Sequence, residues 1–242
     1  MREFGLDRAS AFKVLVDLQS ARHIALLAGT QRILMAFPFS SIVTPFSVKI
    51  TGKERKYFAN CAWDAVAIHV ALGKEQWISS YCHHCSQDIK IHLKDQKLVS
   101  QQSDNQPLVY LALPASKWWK NIVLTCSNNM VFFSSKDHLA EWTNSNSQTG
   151  GEALTIEKTL RLSLPIYKNK MSLDYSRPSR DQTISHFQSL GQRATSGRSS
   201  LGRLREHRPF PNIQRMPYPE SRAAKKSWAS LELAGYFVVL TS

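Results

Sequence analysis

Residues 57–72 read Tyr-Phe-Ala-Asn-Cys-Ala-Trp-Asp-Ala-Val-Ala-Ile-His-Val-Ala-Leu, and Gly73 follows them. Apolar side chains recur in this stretch at the spacing of a helix. Gly73 is a natural helix end, because glycine readily adopts the left-handed conformation that ends many helices. The pattern predicts a helix of about three turns with Cys61 and Asp64 near its start.

The residues on either side of this helix predict strands and further helices. Strands are expected at residues 32–37, 46–51, 76–81, 88–93 and 108–113, and helices at 10–27, 135–142, 155–167 and 179–191. Residues 94–106 look like a polar loop, and Ser10 and Ser135 are candidate helix caps. This order of elements predicts an α+β fold, with a mixed or antiparallel central sheet and helices packed around it.

The composition is that of a globular protein. The chain has 242 residues, of which 43% are hydrophobic and 20% are charged, enough for one core plus an appendage. No apolar run approaches the roughly 20 residues that span a bilayer. The N-terminus has no apolar block typical of a secretory signal, so a cytoplasmic location is expected.

The net charge of +13 is unevenly distributed. Residues 192–242 contain nine Lys or Arg against three Asp or Glu, and their Arg, Ser, Pro and Gly content is typical of disorder. We therefore expect a short helical leader at 1–30, one main folded domain at 31–191, and a basic tail at 192–242 that is disordered or non-homologous. A solvated tail explains the charge better than nucleic-acid binding, which remains the weaker alternative.

The four cysteines are Cys61, Cys82, Cys85 and Cys126. In a cytosolic protein such thiols indicate metal binding, catalysis or burial more often than disulfides. Cys82-His83-His84-Cys85 is half of a zinc site. Its other ligands are open: Cys61, Cys126, His69 and His92 are all candidates. A redox pair, an auxiliary thiol pair that collects a soft metal ion and a purely structural turn are the other interpretations.

Four blocks of the sequence together resemble the alkylmercury lyase family. They are Met35-Ala36-Phe37-Pro38-Phe39-Ser40 with Thr44-Pro45-Phe46, Asn60-Cys61-Ala62-Trp63-Asp64, Cys82-His83-His84-Cys85, and Thr125-Cys126 with Met130-Val131-Phe132-Phe133-Ser134-Ser135 and Trp142. The resemblance covers roughly residues 15–191, and the N-terminal helical domain of the family is mostly missing. It implies that Cys61 and Cys126 bind mercury and that Asp64 shuttles the proton.

The residue types suit that chemistry. Thiolates are the soft ligands that a soft mercury ion prefers, and a carboxylic acid can protonate the leaving carbon. Cys61 and Asp64 are three residues apart and would share a helix face. The helix N-terminus should lower the pKa of Cys61, whereas nearby thiolates and desolvation should raise the pKa of Asp64.

Two features leave the site assignment open. Cys126 precedes Phe132 by six residues, whereas in the family the second cysteine lies closer to the Phe-Phe pair. Cys61 has an alternative interpretation as a buried core thiol, and Asp64 as a charge at a helix N-terminus. Met130, Phe132 and Phe133 are interpreted as core residues.

The resemblance implies cleavage of organomercurials by protonolysis, giving a hydrocarbon and Hg(II) bound to the protein. No organic cofactor is implied, and small thiols or a mercuric reductase are the expected acceptors of the ion. The alternative is a protein without enzymatic activity that binds or senses metal through Cys61, Cys82, Cys85 and Cys126.

Overall fold

The computed structural model describes residues 5–101, 106–146 and 150–190. Its helices are α1 Arg8–Ser20, α2 Ala62–Leu72, α3 Ile122–Asn128, α4 Lys136–Ser145, α5 Ile156–Tyr167 and α6 Arg180–Ser189, with a 3₁₀ helix at Ala115–Lys120. Its strands are β1 Ile24–Leu26, β2 Ile33–Ala36, β3 Phe39–Ser40, β4 Ser47–Ile50, β5 Lys56–Phe58, β6 Gln76–Tyr81, β7 Asp88–Lys94, β8 Lys97–Gln101, β9 Leu108–Leu111, β10 Met130–Phe133 and β11 Glu152–Thr155. The predicted tail at 192–242 lies outside the described residues.

The described strands form three sheets, and their pairings are antiparallel. The sheet orders are β1-β2-β3, β5-β4-β6-β7-β8 and β10-β9-β11. With helices packed on these sheets, the predicted α+β class is confirmed. None of the helices in the described part of the chain is both long and apolar enough to cross a membrane.

Helix α2 lies at the centre of the core. Residues 62–71 are all buried, and the helix packs against α5, β6, β9 and β10. A helix that is apolar on every side is stable only when other elements surround it. Gly73 ends it with φ of 62° in the left-handed region, as predicted. The N-terminus of α2 therefore presents its side chains to the protein interior.

The predicted helix of about three turns, with Cys61 and Asp64 near its start, is confirmed as α2, but the apolar helical spacing that begins at Tyr57 extends upstream of it. Tyr57 and Phe58 belong to β5, where they pair with Val48 and Ser47 of β4. Pairing with a neighbouring strand has overridden the local pattern. The helix begins only after Cys61, which is its N-cap residue.

Of the two serines predicted to cap helices, Ser135 is confirmed and Ser10 is wrong. Ser135 caps α4 through a hydrogen bond from the backbone N–H of His138, as expected. Ser179 caps α6 and forms a capping box with Gln182. At the first helix the prediction is wrong, because Asp7 is the cap and Ser10 donates its backbone N–H to the Asp7 carboxylate.

Two other predicted elements need correction. The helix expected at 10–27 ends at Ser20, and Ile24–Leu26 forms β1 against β2. The polar loop expected at 94–106 contains β8, which pairs with β7 across a tight turn at Asp95 and Gln96. Both errors concern segments whose conformation depends on a partner strand rather than on their own sequence.

Candidate active site

Cys61 is held at the N-terminus of α2 by the backbone of its own helix. Its sulfur accepts a hydrogen bond from the backbone N–H of Asp64 at 3.3 Å, so the thiol takes the place of the usual side-chain cap. The sulfur also lies 3.7 Å from the thioether of Met130, which enters from β10. These contacts fix the sulfur at the junction of α2 and β10.

Cys126 reaches the same point from α3. Asn121 caps this short helix by accepting the N–H of Leu124. Because residues 122–128 are helical, the six-residue interval before Phe132 is compact, and Cys126 is turned inward with an exposed fraction of 2%. The sequence pattern did not predict helix α3. This helix explains how Cys126 can lie six residues before Phe132 and still face the protein interior.

The structure brings Cys61, Asp64 and Cys126 together. The two sulfurs and a carboxylate oxygen all lie within 4.8 Å of one another, which is close enough for one ion to contact all three. Cys61 and Asp64 are as deeply buried as Cys126, with exposed fractions of 1% and 2%. An ion or small molecule from solvent could reach these atoms only after neighbouring side chains move aside.

Asp64 has a pKa raised from 3.8 to about 6. Burial is the main cause, because it removes the water that stabilises the ionised carboxylate. Hydrogen bonds from Tyr167, Asn60 and Cys61 favour the ionised form and oppose this effect without cancelling it. The direction agrees with the expectation from the sequence, but the causes agree only in part: desolvation raises the pKa, whereas the neighbouring Cys61 thiol lowers it.

The expected lowering of the Cys61 pKa is wrong. Burial raises the pKa of the Cys61 thiol well above its usual value, and the neighbouring Cys126 and Asp64 raise it further. The backbone hydrogen bond from Asp64 acts in the opposite direction but is weaker. The helix terminus is outweighed because the sulfur has lost its contact with solvent. The thiol is therefore protonated at neutral pH.

Two side chains that hold the Asp64 carboxylate were not identified from the sequence. Tyr167, near the end of α5, donates its hydroxyl to Oδ1 at 2.6 Å. Asn60 donates its side-chain amide to Oδ2 at 3.1 Å. Tyr167 is 103 residues away along the chain, so no local pattern connects it with Asp64. Asn60 belongs to the same block as Cys61, but residue type alone did not reveal its partner.

Trp63 locks α2 against α5 beside this cluster. Its indole N–H donates to the Ser163 hydroxyl at 2.7 Å. Its ring makes edge contacts with Trp118 and Tyr167.

Three residues of β10 that were predicted to belong to the core are buried: Met130, Phe132 and Phe133. Met130 in addition contacts Cys61. Dense aromatic packing therefore supports the carboxyl and thiol groups.

Cys82 and Cys85 belong to a different group of side chains. Their turn joins β6 to β7 as predicted, and their sulfurs lie near His138 of α4. The partners suggested by the sequence are engaged elsewhere. His69 bonds the carbonyl of Lys74, His92 bonds Glu75, and Cys61 and Cys126 form the cluster described above.

Comparisons with known proteins match this arrangement to one family. The family model of MerB, described as alkylmercury lyase, matches residues 39–168, which include Cys61, Asp64, Cys126 and Tyr167. Alkylmercury lyases from Bacillus cereus and Clostridium butyricum are each 26% identical to the chain over 121 residues. That alignment is 50% of this chain and 52% of each relative, so the chain spans about half the length of the curated relatives it matches.

A solved structure agrees with the fold. It is described as the crystal structure of the mercury-bound form of MerB2, and it superimposes with a TM-score of 0.53 at 24% sequence identity. The match covers 64% of this chain and 73% of that one. Since the family model spans more than half of the chain, this protein belongs to the MerB alkylmercury lyase family.

Proposed function

We propose that the protein is an organomercurial lyase that uses Cys61 and Cys126 to bind mercury and Asp64 to protonate the carbon–mercury bond. The main observation behind the proposal is that the sulfurs of two cysteines and a carboxylate oxygen lie within 4.8 Å of one another. Membership of the MerB family and the mercury-bound state of its structural neighbour support it.

The first step requires a base, because both thiols must lose their protons to bind mercury. Asp64 suits this role: a carboxyl with a pKa of about 6 is mostly ionised at neutral pH and accepts a hydrogen bond from Cys61. As the organomercury cation bonds to the Cys61 sulfur, the thiol proton passes to the Asp64 carboxylate. The products of this step are a sulfur–mercury bond and a neutral carboxylic acid.

The second step breaks the carbon–mercury bond. Binding of the Cys126 sulfur adds electron density to the metal and weakens its bond to carbon, and the second thiol proton is released to solvent. The neutral Asp64 then gives its proton to the carbon, which leaves as a hydrocarbon with both electrons of the broken bond. Asp64 returns to its ionised state, and Hg(II) remains bound to the two sulfurs.

Release of Hg(II) requires another soft ligand. A small thiol or a mercuric reductase is a suitable acceptor, because only a competing sulfur can displace an ion from two cysteines by ligand exchange. Buried thiols also require a path for this acceptor, so we expect product release to be slow compared with hydrocarbon formation.

The test is an assay for the hydrocarbon. Purified protein is incubated with a phenylmercury salt and excess small thiol, and benzene is measured by headspace gas chromatography. The wild type should release benzene over many turnovers. Asp64→Asn should reduce the rate by about 100-fold or more, the contribution of a general acid.

Asp137→Asn is the matched control. Asp137 also lies in the first turn of a helix, but its side chain is exposed. This variant should keep the wild-type rate. If the wild type binds phenylmercury without forming benzene, the protein is a metal binder and the lyase proposal is wrong.

A further inference from the structure

A second cluster of metal-binding side chains lies outside the site described above. It consists of Cys82, Cys85 and His138, whose ligand atoms all lie within 4.8 Å of one another. Cys82 is buried, His138 is half-buried and Cys85 is exposed. Nothing in the proposed lyase mechanism requires any of these three residues.

The cluster is separate from the mercury site. Strand β10 connects the two: Met130 at its start contacts Cys61, and Ser134 just after its end contacts His138. Four residues of extended strand cover about 13 Å. A single ion therefore cannot bridge the two clusters.

The turn that carries the two cysteines is held in place before any metal binds. Within the turn, Cys82 donates its backbone N–H to the carbonyl of Gln87, and Ser86 donates its own to the carbonyl of Cys82. The backbone N–H of His83 donates to the carbonyl of Phe132, which attaches the turn to β10. The backbone that carries both sulfurs is thus already ordered, and binding of an ion should cost little conformational entropy.

Helix α4 supplies the third ligand and is also tied to the turn. His138 lies in its first turn, where its backbone N–H is bonded by Ser135. One helical turn later, Glu141 pairs with His84 at 3.0 Å. Because His84 lies between the two cysteines in sequence, this pair holds the turn against the helix face that carries His138.

The distances fit a tetrahedral ion. Nδ1 of His138 lies 3.7 Å from the Cys82 sulfur and 3.4 Å from the Cys85 sulfur. In a zinc site with Zn–S of about 2.3 Å and Zn–N of about 2.0–2.1 Å, sulfur and nitrogen ligands lie about 3.5–3.6 Å apart. The two observed sulfur–nitrogen distances lie on either side of this value and differ from it by only a few tenths of an ångström, and the two sulfurs lie within 4.8 Å of each other.

Hydrogen-bond donors already surround the Cys82 sulfur. They are the backbone of Cys85, the hydroxyl and backbone of Ser134 and the backbone of His84. Metal ligation requires a thiolate, and such donors would stabilise the negative charge on the sulfur in a metal complex.

We propose that Cys82, Cys85 and His138 form a second metal site that binds one zinc-like divalent ion through two sulfurs and one imidazole nitrogen. Because Cys85 is exposed, the fourth position is open to water. On binding, Nδ1 of His138 exchanges its 2.7 Å contact with the Ser134 hydroxyl for the metal. The site would join the β6–β7 hairpin to α4 and would stabilise the fold.

The test uses cobalt(II) as a spectroscopic substitute for zinc. The full-length protein is titrated with Co(II) under a non-thiol reductant, which keeps the cysteines from forming a disulfide. We expect one equivalent to bind, with the visible absorption bands of tetrahedral cobalt and a sulfur charge-transfer band. Zinc should displace the cobalt and raise the melting temperature.

Variants of single residues test whether the cobalt absorption bands arise from the cluster of Cys82, Cys85 and His138. Cys85→Ser and His138→Gln should abolish them and the stabilisation by zinc. Cys126→Ser and His92→Gln, the matched cysteine and histidine controls, should retain both. The proposal is overturned if the wild type shows no tetrahedral bands, if the bands persist in Cys85→Ser and His138→Gln, or if they disappear in Cys126→Ser. None of these readouts depends on lyase activity.

Discussion

Replacing Asp64 by asparagine should stabilise the protein while abolishing the proposed chemistry. The carboxyl and the amide have the same shape, and Tyr167 can donate its hydroxyl to either. Asn60 currently leaves its side-chain oxygen without a partner. Rotation of its amide would bring this oxygen to face the new N–H of residue 64. The hydrogen bonds of residue 64 with Tyr167 and Asn60 are therefore retained, and the variant should fold.

The size of the effect follows from the pKa of Asp64. Raising it from 3.8 to about 6 means that the ionised carboxyl is about 3 kcal/mol less stable in the folded protein than in water. The folded state binds the proton more tightly than the unfolded state. The contribution of Asp64 to the unfolding free energy is therefore highest below pH 4 and falls as the pH rises through about 6. Because asparagine does not ionise, the Asp64→Asn variant does not lose this part of its unfolding free energy as the pH rises.

The assay is urea denaturation of wild type and Asp64→Asn between pH 4 and pH 8. We expect the variant to be more stable by up to about 3 kcal/mol at pH 8, or about 6–12 °C in melting temperature for a domain of this size. The difference should shrink towards zero near pH 4. Parallel pH profiles for the two proteins would refute the reasoning, because they would show that Asp64 is not destabilised by ionisation.

Three further variants probe two residues beside Asp64 and the C-cap of α2. Tyr167→Phe removes a hydrogen bond that lowers the Asp64 pKa, so the acidic limb of the kcat/KM profile should move to higher pH; an unmoved limb would contradict this. Cys126→Ser replaces a soft ligand by a hard one, so Hg(II) should be lost to a competing thiol that leaves the wild type loaded; equal retention would exclude Cys126 as a ligand. Gly73→Ala places a Cβ at φ of 62° and should lower the unfolding free energy by about 1–2 kcal/mol in urea titration; an unchanged value would show that the C-cap tolerates a side chain.

Local signals in the sequence were sufficient for many of the helix ends. Gly73, Ser135 and Ser179 end or begin helices as predicted, because a cap satisfies backbone groups within a few residues of itself. Cys61 and Asp64 were grouped for the same reason, since they lie one helical turn apart. In each case the relevant interaction is nearly independent of the rest of the fold.

Contacts between distant segments were not predictable in this way. Ile24–Leu26 has helical spacing but forms a strand because β2 lies beside it. Tyr167 and His138 come from α5 and α4, and each meets its partners only after the sheets and helices have packed. The pKa of Cys61 was misjudged for a related reason: the helix terminus is a local effect, whereas burial depends on the whole core.

The most direct test of the central claim is to identify what remains bound to the protein after one turnover. One equivalent of phenylmercury is added with a small thiol, and native mass spectrometry measures the mass of the bound species. The account predicts bare mercury on the wild type and intact phenylmercury on Asp64→Asn. Intact phenylmercury on the wild type, or bare mercury on both proteins, would contradict protonation of the carbon by Asp64.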